Sequence, residues 1–242
     1  MGTVQFRSAI AESNEALRDA GFITNVPQAK PLSPGEVLGC TSPNNLFIEG
    51  ESEGGKDQVI LFIADGRFHL EAAMIANPRC RAMKYDPYSK VLTEESYDIA
   101  KMRKIRYEAI LKAKEAKTIG IVLGTLGRQG NPAILCRVKS LLKNRGLRSF
   151  VVLLSEILPK KLSLMPAADA WVQIACPRLS VDWGHFFHRP VLTVYELEVM
   201  VGESKWYKEE DGYPMDYYKE GDHGWGNYGA GNGAREYDGF EI

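Results

Sequence analysis

The stretch Ala170-Trp171-Val172-Gln173-Ile174-Ala175-Cys176-Pro177 decides how this sequence folds. Its largely apolar part, residues 170–175, predicts a buried strand of a parallel sheet. Pro177 has no N–H group to give to a strand ladder, so the strand has to end at Cys176. Parallel sheets keep their binding residues where strands end and loops begin. The sequence therefore places Cys176 at a candidate functional edge.

Strand-length apolar runs and helical patterns alternate along the chain, which is typical of parallel α/β layers. Buried strands are predicted over residues 59–64, 119–123 and 149–154, and amphipathic helices over residues 7–20, 70–76 and 131–146. We also predict short strands over 4–6, 22–26, 82–85 and 191–197, a helix from an N-cap at Thr93 to Ala116, and a short helix over 156–164. Loops are predicted over 28–43 and 52–57, and a further loop begins at Cys176.

Two similar series of strands and helices predict two α/β domains of parallel sheet flanked by helices. Residues 3–116 form the first domain and carry Cys40, and residues 117–201 form the second and carry Cys176. After residue 201 the chain is rich in Tyr, Gly and acidic residues and poor in aliphatic ones. We therefore expect residues 202–242 to be an extended, largely disordered tail.

The overall composition excludes several classes of protein. A net charge of −1 gives no global electrostatic reason to bind nucleic acid or an anionic membrane. No apolar run approaches the roughly 20 residues of a membrane-spanning helix, and no N-terminal signal pattern is present. We therefore expect a cytoplasmic protein that has neither nucleic acid nor membrane as a partner, with its cysteines reduced.

Two of the four cysteines, Cys40 and Cys176, have similar surroundings. Cys40 lies in Leu38-Gly39-Cys40-Thr41-Ser42-Pro43, at the end of a loop rich in Pro, Gly and Ser. We predict that the two meet in space and hold a metal, and two thiolates suit a soft iron–sulfur centre. Two alternatives stay open. Each cysteine could be a small buried hydrophobe, or zinc could bind to Cys176, Asp182, His185 and His188, whose spacing matches no common zinc pattern.

A second candidate site is the turn Gly124-Thr125-Leu126-Gly127-Arg128-Gln129-Gly130. It joins a predicted strand to a helix that has Asn131 as its N-cap and Pro132 as its first residue. Bare N–H groups at a helix N-terminus suit a phosphate or carboxylate. Arg128 can add a bidentate contact to such an anion, and Gln129 can add a contact from its side-chain amide. The turn lacks the Lys-Ser/Thr pair of a Walker loop and the Gly-x-Gly-x-x-Gly fingerprint. A tight turn without a ligand remains the alternative.

The corresponding place in the first domain is the stretch Asp65-Gly66-Arg67-Phe68-His69, which also follows a predicted strand. Asp65 and His69 could orient or protonate a ligand there. The alternative is that Asp65 only caps the helix that follows.

Five stretches resemble the diphthamide-synthesis enzymes: residues 31–43 around Cys40, Ala64-Asp65-Gly66-Arg67-Phe68-His69-Leu70-Glu71, Tyr85-Asp86-Pro87-Tyr88, Leu126-Gly127-Arg128-Gln129-Gly130-Asn131, and residues 175–184 around Cys176. Tyr213-Pro214-Met215-Asp216-Tyr217 also looks like the C-terminal region of a eukaryotic member. The family has three similar α/β domains, and each gives one cysteine to a central 4Fe–4S cluster. This resemblance implies that Cys40 and Cys176 are the ligands of the second and third domains. Cys80 and Cys136 match no ligand position and are interpreted as packing residues.

The resemblance also implies a transferase activity. The family's cluster cleaves S-adenosylmethionine to a 3-amino-3-carboxypropyl radical, which adds to a histidine of translation elongation factor 2. Gly124, Gly127, Arg128, Gln129, Gly130 and Asp182 would bind S-adenosylmethionine. The implied partners are the elongation factor, a related second subunit in a heterodimer, and a small iron-binding electron donor. The family's first domain and its cysteine are absent from this sequence, so the alternative is a non-catalytic fragment or interaction module.

Overall fold

The computed structural model describes residues 1–47, 58–127, 129–221 and 223–228. The loop expected over 52–57, Arg128, and residues 222 and 229–242 of the expected tail lie outside these residues. By its contacts the chain divides into two units. Unit 1 comprises Met1–Lys104 and Trp206–Lys219, and unit 2 comprises Ile105–Lys205 and the described residues from Glu220 on. The predicted domain limits at residues 116 and 201 stay predictions.

Unit 1 contains a three-stranded sheet with helices packed beside it. Its elements in chain order are α1 (Arg7–Asp19), β1 (Val59–Ile63), α2 (Phe68–Ala76), β2 (Arg81–Asp86), β3 (Val91–Glu95) and the first part of α3 (Ile99–Ala113). β1 pairs with β2 in parallel, and β2 pairs with β3 antiparallel. Apolar residues of β1 and α2, such as Phe62 and Leu70, are fully buried, so the core lies between this sheet and α2.

Unit 2 contains a four-stranded sheet in the order β5-β4-β6-β7, and all its pairs are parallel. Its elements are β4 (Thr118–Gly124), α4 (Pro132–Asn144), β5 (Arg148–Leu154), α5 (Pro159–Ser163), β6 (Ala170–Ile174), α6 (Arg178–Trp183), β7 (Val191–Leu192) and α7 (Val194–Val201). β6 is buried along its whole length because sheet neighbours flank it and helices cover it. The predicted α/β class is thereby confirmed.

Two predicted strands at the start of the chain are wrong. Residues Val4–Phe6 form a 3₁₀ turn that runs into α1, because three apolar residues without a partner strand do not fix an extended conformation. Residues 22–26 form no strand. Phe22 and Ile23 are exposed, and the Phe22 N–H donates to Leu17 O, while Gly21 at φ +86° ends α1.

Three later assignments are also corrected. Thr93 lies in β3, which forms a hairpin with β2, and Asp98 caps α3 by accepting from Lys101 N at 3.0 Å. The strand predicted over 191–197 is the short β7 followed by α7, which starts with a capping box between Thr193 and Glu196. Instead of the loop predicted to begin at Cys176, the helix α6 starts at Arg178. In the described residues no helix is long and apolar enough to cross a bilayer.

Candidate functional site

Cys40 lies in a tight turn of unit 1. The backbone of Leu38 and Thr41 closes this turn through two hydrogen bonds of 2.8 and 3.2 Å. A Cβ atom on Gly39 would overlap the ring of Phe68, the first residue of α2. Since α2 follows β1, this contact places the Cys40 turn beside the connection that leaves the carboxyl end of β1. Cys40 is 9% exposed, and the neighbouring Thr41 and Ser42 are fully buried.

The Cys40 turn also pairs with a segment from the other end of the chain, residues 212–219, which we name the C-terminal strap. Ser42 N donates to Met215 O at 2.7 Å, and Tyr217 N donates to Cys40 O at 3.2 Å. Tyr218 N donates to the Thr41 hydroxyl at 2.8 Å. Apart from a few apolar and aromatic residues in a polar region, no sequence pattern predicts this pairing.

Cys176 lies directly after β6 in unit 2, as predicted, and is half-buried. Its carbonyl oxygen accepts from Leu179 N at 3.0 Å and from the side-chain amide of Gln173 at 3.1 Å. The same amide nitrogen lies 3.2 Å from the hydroxyl of Ser180 in α6. Gln173 is 2% exposed, so a buried side chain of the strand fixes the backbone of the cysteine. A lone glutamine in an apolar strand was the sequence signal for this role.

The glycine turn follows β4, the strand next to β6, so it lies at the same sheet edge as Cys176. A Cβ on Gly124 would crowd Ala175, and one on Gly130 would overlap Gly124 O. Gly127 adopts φ +64°. Asn131 caps α4 by accepting from Ala133 N at 2.8 Å, as predicted. This turn therefore needs glycine at several positions, and it presents backbone beside a cysteine.

Asp182 forms an ion pair within α6. Arg178 Nε lies 3.0 and 2.9 Å from its two carboxylate oxygens, and Arg178 is 3% exposed. The negative charge of Asp182 is thus largely balanced inside the helix. Any role of Asp182 with a ligand stays a prediction.

The zinc alternative receives no support from the part of the chain that is described. No three His, Cys, Asp or Glu side chains come together there as a group able to hold a metal. His185 packs against Phe186 with ring centroids 4.0 Å apart, and both His185 and His188 are exposed.

Asp65 and His69 of unit 1 also lie at the end of β1. Asp65 accepts from the Gln5 side chain at 3.2 Å on the surface, and His69 is half-buried against Phe68. Their functional role stays a prediction.

None of the four cysteines is in a disulfide. Cys80 is half-buried, and burial raises the pKa of its thiol while the charge of Arg79 acts in the opposite direction. Cys136 is exposed on α4 and lines a surface groove with Lys139 and Lys143, so its interpretation as a packing residue is wrong. The two remaining thiols each lie at the carboxyl edge of the sheet in their own unit. That these two thiols bind one metal stays a prediction.

Comparison with known protein sequences finds a matching family model and several similar proteins. The family model described as "Putative diphthamide synthesis protein" matches residues 1–211. The 2-(3-amino-3-carboxypropyl)histidine synthase subunit 1 of Dictyostelium discoideum is 46% identical over 228 residues, which are 94% of this chain and 48% of the relative. The protein of the same name from Homo sapiens is 50% identical over 218 residues, 90% of this chain and 47% of the relative. The chain spans about half the length of the curated relatives it matches.

The fold is similar to a crystal structure described as Dph2 from Pyrococcus horikoshii with 4Fe-4S cluster. The TM-score is 0.65 at 28% identity, and the match covers 88% of this chain and 60% of that one. The C-terminal strap lies beyond residue 211, where the family model ends. The alignment to the Dictyostelium relative covers 228 of the 242 residues, so it has to include the strap.

Proposed function

Because the chain belongs to the diphthamide synthesis protein family, we propose that it is part of a 3-amino-3-carboxypropyl transferase. In this proposal the group passes from S-adenosylmethionine to a histidine of translation elongation factor 2, the first step of diphthamide biosynthesis. The partners are a related second subunit and a small iron-binding electron donor, in the cytoplasm. The names of the relatives support the reaction, and the word subunit in those names supports the assembly.

The observation that carries the proposal is the arrangement at the sheet edge of unit 2. Cys176 and the glycine turn follow neighbouring strands, β6 and β4, so a potential iron ligand and a glycine-rich helix N-terminus lie at the same edge. Iron held by Cys176 would suit a substrate with a soft sulfur atom, and the helix N-terminus would suit its carboxylate. S-adenosylmethionine is such a molecule.

Cys40 and Cys176 are the proposed protein ligands of a 4Fe–4S cluster, which supplies, when bound and reduced, the one-electron cleavage of a carbon–sulfur bond of S-adenosylmethionine. The two cysteines bind iron as thiolates, each held by its backbone. The Cys40 turn is fixed by the C-terminal strap, and Cys176 by Gln173. The chain's contribution to the metal site is therefore two fixed sulfur atoms.

The glycine turn binds the carboxylate of the methionine moiety in this proposal. N–H groups of the turn at Gly124, Gly127 and Gly130 approach the anion closely because these residues have no side chain, and the first turn of α4 adds its favourable dipole. Gln129 adds its side-chain amide. Arg128 provides a charge-assisted contact by its residue type. Asp182 contributes from α6, the helix that begins two residues after Cys176, where its carboxylate is paired with Arg178.

The test is anaerobic purification of the chain with and without the second subunit, followed by iron and sulfide measurement and an assay with S-adenosylmethionine, reductant and elongation factor 2. We expect iron and sulfide to bind, and label from the carboxypropyl group to reach a histidine of the factor. The exposed Cys136→Ser variant is the matched control and keeps both. Absence of iron and transfer under every condition contradicts the proposal and favours a non-catalytic interaction module.

A further inference from the structure

The contacts around Cys40 involve Thr41 and the C-terminal strap together. We propose that the Thr41 hydroxyl fixes and polarises the sulfur of Cys40, and that the strap sets the direction of that hydroxyl. Thr41 is then a positioning residue for the metal ligand, and the end of the chain becomes part of the ligand turn. The inference rests on the proposed function in one respect, which is that Cys40 binds iron.

The hydroxyl group of Thr41 has one proton to donate and lone pairs that accept. Tyr218 N–H donates to this oxygen at 2.8 Å. Thr41 Oγ1 lies 3.8 Å from Cys40 Sγ, within reach of a hydrogen bond to sulfur. The side chain is 0% exposed, so bulk water does not compete for its proton. The donor from the strap therefore occupies one side of the oxygen and leaves its proton for the sulfur.

The strap is anchored at both ends within unit 1, so its contact with Thr41 is well defined. At its start, Tyr213 N donates to Ile75 O at 3.1 Å, and a Cβ on Gly212 would overlap Ala76 O. Gly212 also has φ +75°, a conformation that favours glycine. At the other end, Lys219 Nζ donates to Asn44 Oδ1 at 2.7 Å.

Two further hydrogen bonds join the strap to the cysteine turn itself. They run from Tyr217 N to Cys40 O and from Ser42 N to Met215 O, on either side of the contact with Thr41. Residues 40–42 are thus bound at three consecutive positions. Since buried polar groups cost free energy when they lack a partner, this turn depends on the strap for its native conformation.

A hydrogen bond to a ligand sulfur stabilises the electron-rich state of an iron–sulfur centre and raises its reduction potential. Loss of the Thr41 hydroxyl therefore shifts the midpoint potential to more negative values. Loss of the strap contact loosens the turn and lowers iron retention. Both effects arise within unit 1, from Thr41 and from the strap that contacts it.

The experiment compares Thr41→Val with Thr41→Ser. Valine has the shape of threonine without the hydroxyl, whereas serine keeps the hydroxyl and serves as the matched control. In the iron-free chain, hydrogen exchange followed by mass spectrometry reports on the Tyr218 amide. We expect exchange to be roughly three- to tenfold faster in Thr41→Val, as the loss of one hydrogen bond implies, and near the parent rate in Thr41→Ser.

The same variants are then reconstituted with iron and sulfide. We expect Thr41→Val to hold less iron and to show a more negative midpoint potential, and Thr41→Ser to match the parent. Tyr217→Pro removes the N–H that donates to Cys40 O, and Tyr217→Ala is its control because it keeps that N–H. This pair tests the strap contact independently if Thr41→Val unfolds. Thermal unfolding by circular dichroism identifies a variant that has lost its fold.

The outcomes separate this inference from the proposed function. Full iron content in Cys40→Ser would overturn the proposed ligand and this inference with it. A second outcome is that Cys40→Ser loses iron while Thr41→Val and Tyr217→Pro keep the parent's amide exchange rate, iron content and midpoint potential. This outcome overturns only the role of Thr41 and the strap. Faster exchange with unchanged iron and potential also overturns the inference, since the strap would then be a structural contact only.

Discussion

Arg106 and Glu196 form a bidentate ion pair that is closed off from solvent within unit 2. Two guanidinium nitrogens lie 2.8 and 2.6 Å from the two carboxylate oxygens, and the side chains are 1% and 0% exposed. Arg106 also donates to Val191 O at 2.7 Å, and Glu196 accepts from Thr193 N at 2.8 Å. The pair therefore joins α3 to β7 and to the N-terminus of α7.

We expect Arg106→Met to destabilise the chain by about 3–5 kcal/mol, because it leaves the buried carboxylate of Glu196 without its counter-charge. Denaturant unfolding followed by circular dichroism measures the change. Arg81→Met is the matched control, since it breaks the exposed pair with Glu94, whose side chains are 51% and 60% exposed. That change should stay within about 1 kcal/mol. Equal losses in the two variants would contradict this assignment.

Gln173→Met should weaken the Cys176 turn, because it removes the amide that donates to Cys176 O and Ser180 Oγ. We expect a loss of about 1–3 kcal/mol in unfolding free energy and a lower iron content after reconstitution. Val172→Ala, in the same strand, is the control: it should lower stability by a similar amount while iron content per folded chain is retained. The positioning role is rejected if the two variants bind iron equally.

Gly130→Ala should lower the affinity for S-adenosylmethionine at least about tenfold, a change of about 1.4 kcal/mol, since the new Cβ would overlap Gly124 O and displace the turn. Gly146→Asn is the matched control, because Gly146 lies beyond the other end of α4, a side chain there has open space, and asparagine tolerates its positive φ. Calorimetry on the reconstituted protein gives both affinities. Parent-like binding in Gly130→Ala would mean that this turn does not hold the ligand.

Asp169 makes folding sensitive to acid at the start of β4. Its carboxylate accepts hydrogen bonds from Lys117 N and Thr118 N, both at 2.9 Å. These two bonds, the one from Lys117 most strongly, lower the pKa of Asp169 below its ordinary value of 3.8. The positive charges of Arg189 and Arg148 also lower this pKa. A lowered native pKa gives stability that is present above pH 3.8 and is lost as the pH falls through the native pKa.

We therefore expect Asp169→Asn to be less stable than the parent at neutral pH and to lose less stability on acidification. Denaturant unfolding of both proteins at several pH values between 7 and 3 measures the difference in their unfolding free energies. The two curves should converge at the acid end. Curves that stay parallel over the whole range would show that the Asp169 carboxylate does not contribute in its charged form.

Much of the fold follows from local sequence patterns. The continuous apolar runs of β1, β4 and β6 mark strands buried on both faces, and Asn131-Pro132 marks the start of α4. These signals are strong because burial and capping each depend on a few adjacent residues. The position of Cys176 at the end of β6 follows from Pro177 for the same reason.

The assignments that failed depend on contacts between distant residues. Thr93 has the residue type of an N-cap, but β2 offers it a partner strand, and Asp98 takes over the cap of α3. The apolar run after residue 190 looks like one strand, although Thr193 and Glu196 already contain the capping box that starts α7.

The site shows the same division. Cys40 and Cys176 are selected by the motifs around them and stay predictions as ligands, whereas the strap that binds residues 40–42 comes from more than 170 positions further along the chain. No local pattern encodes such a pairing. The part of the tail over residues 213–218 is packed, with Tyr213, Met215 and Tyr217 buried, because these residues find apolar surface on unit 1.

The most direct test of the central claim is iron and sulfide content after anaerobic reconstitution of four variants: Cys40→Ser, Cys176→Ser, Cys80→Ser and Cys136→Ser. If Cys40 and Cys176 are ligands of one cluster, either of the first two substitutions abolishes or strongly reduces the iron content and the charge-transfer absorbance, while the other two leave them unchanged. Parent-like iron content in Cys40→Ser or in Cys176→Ser would contradict the shared iron–sulfur site.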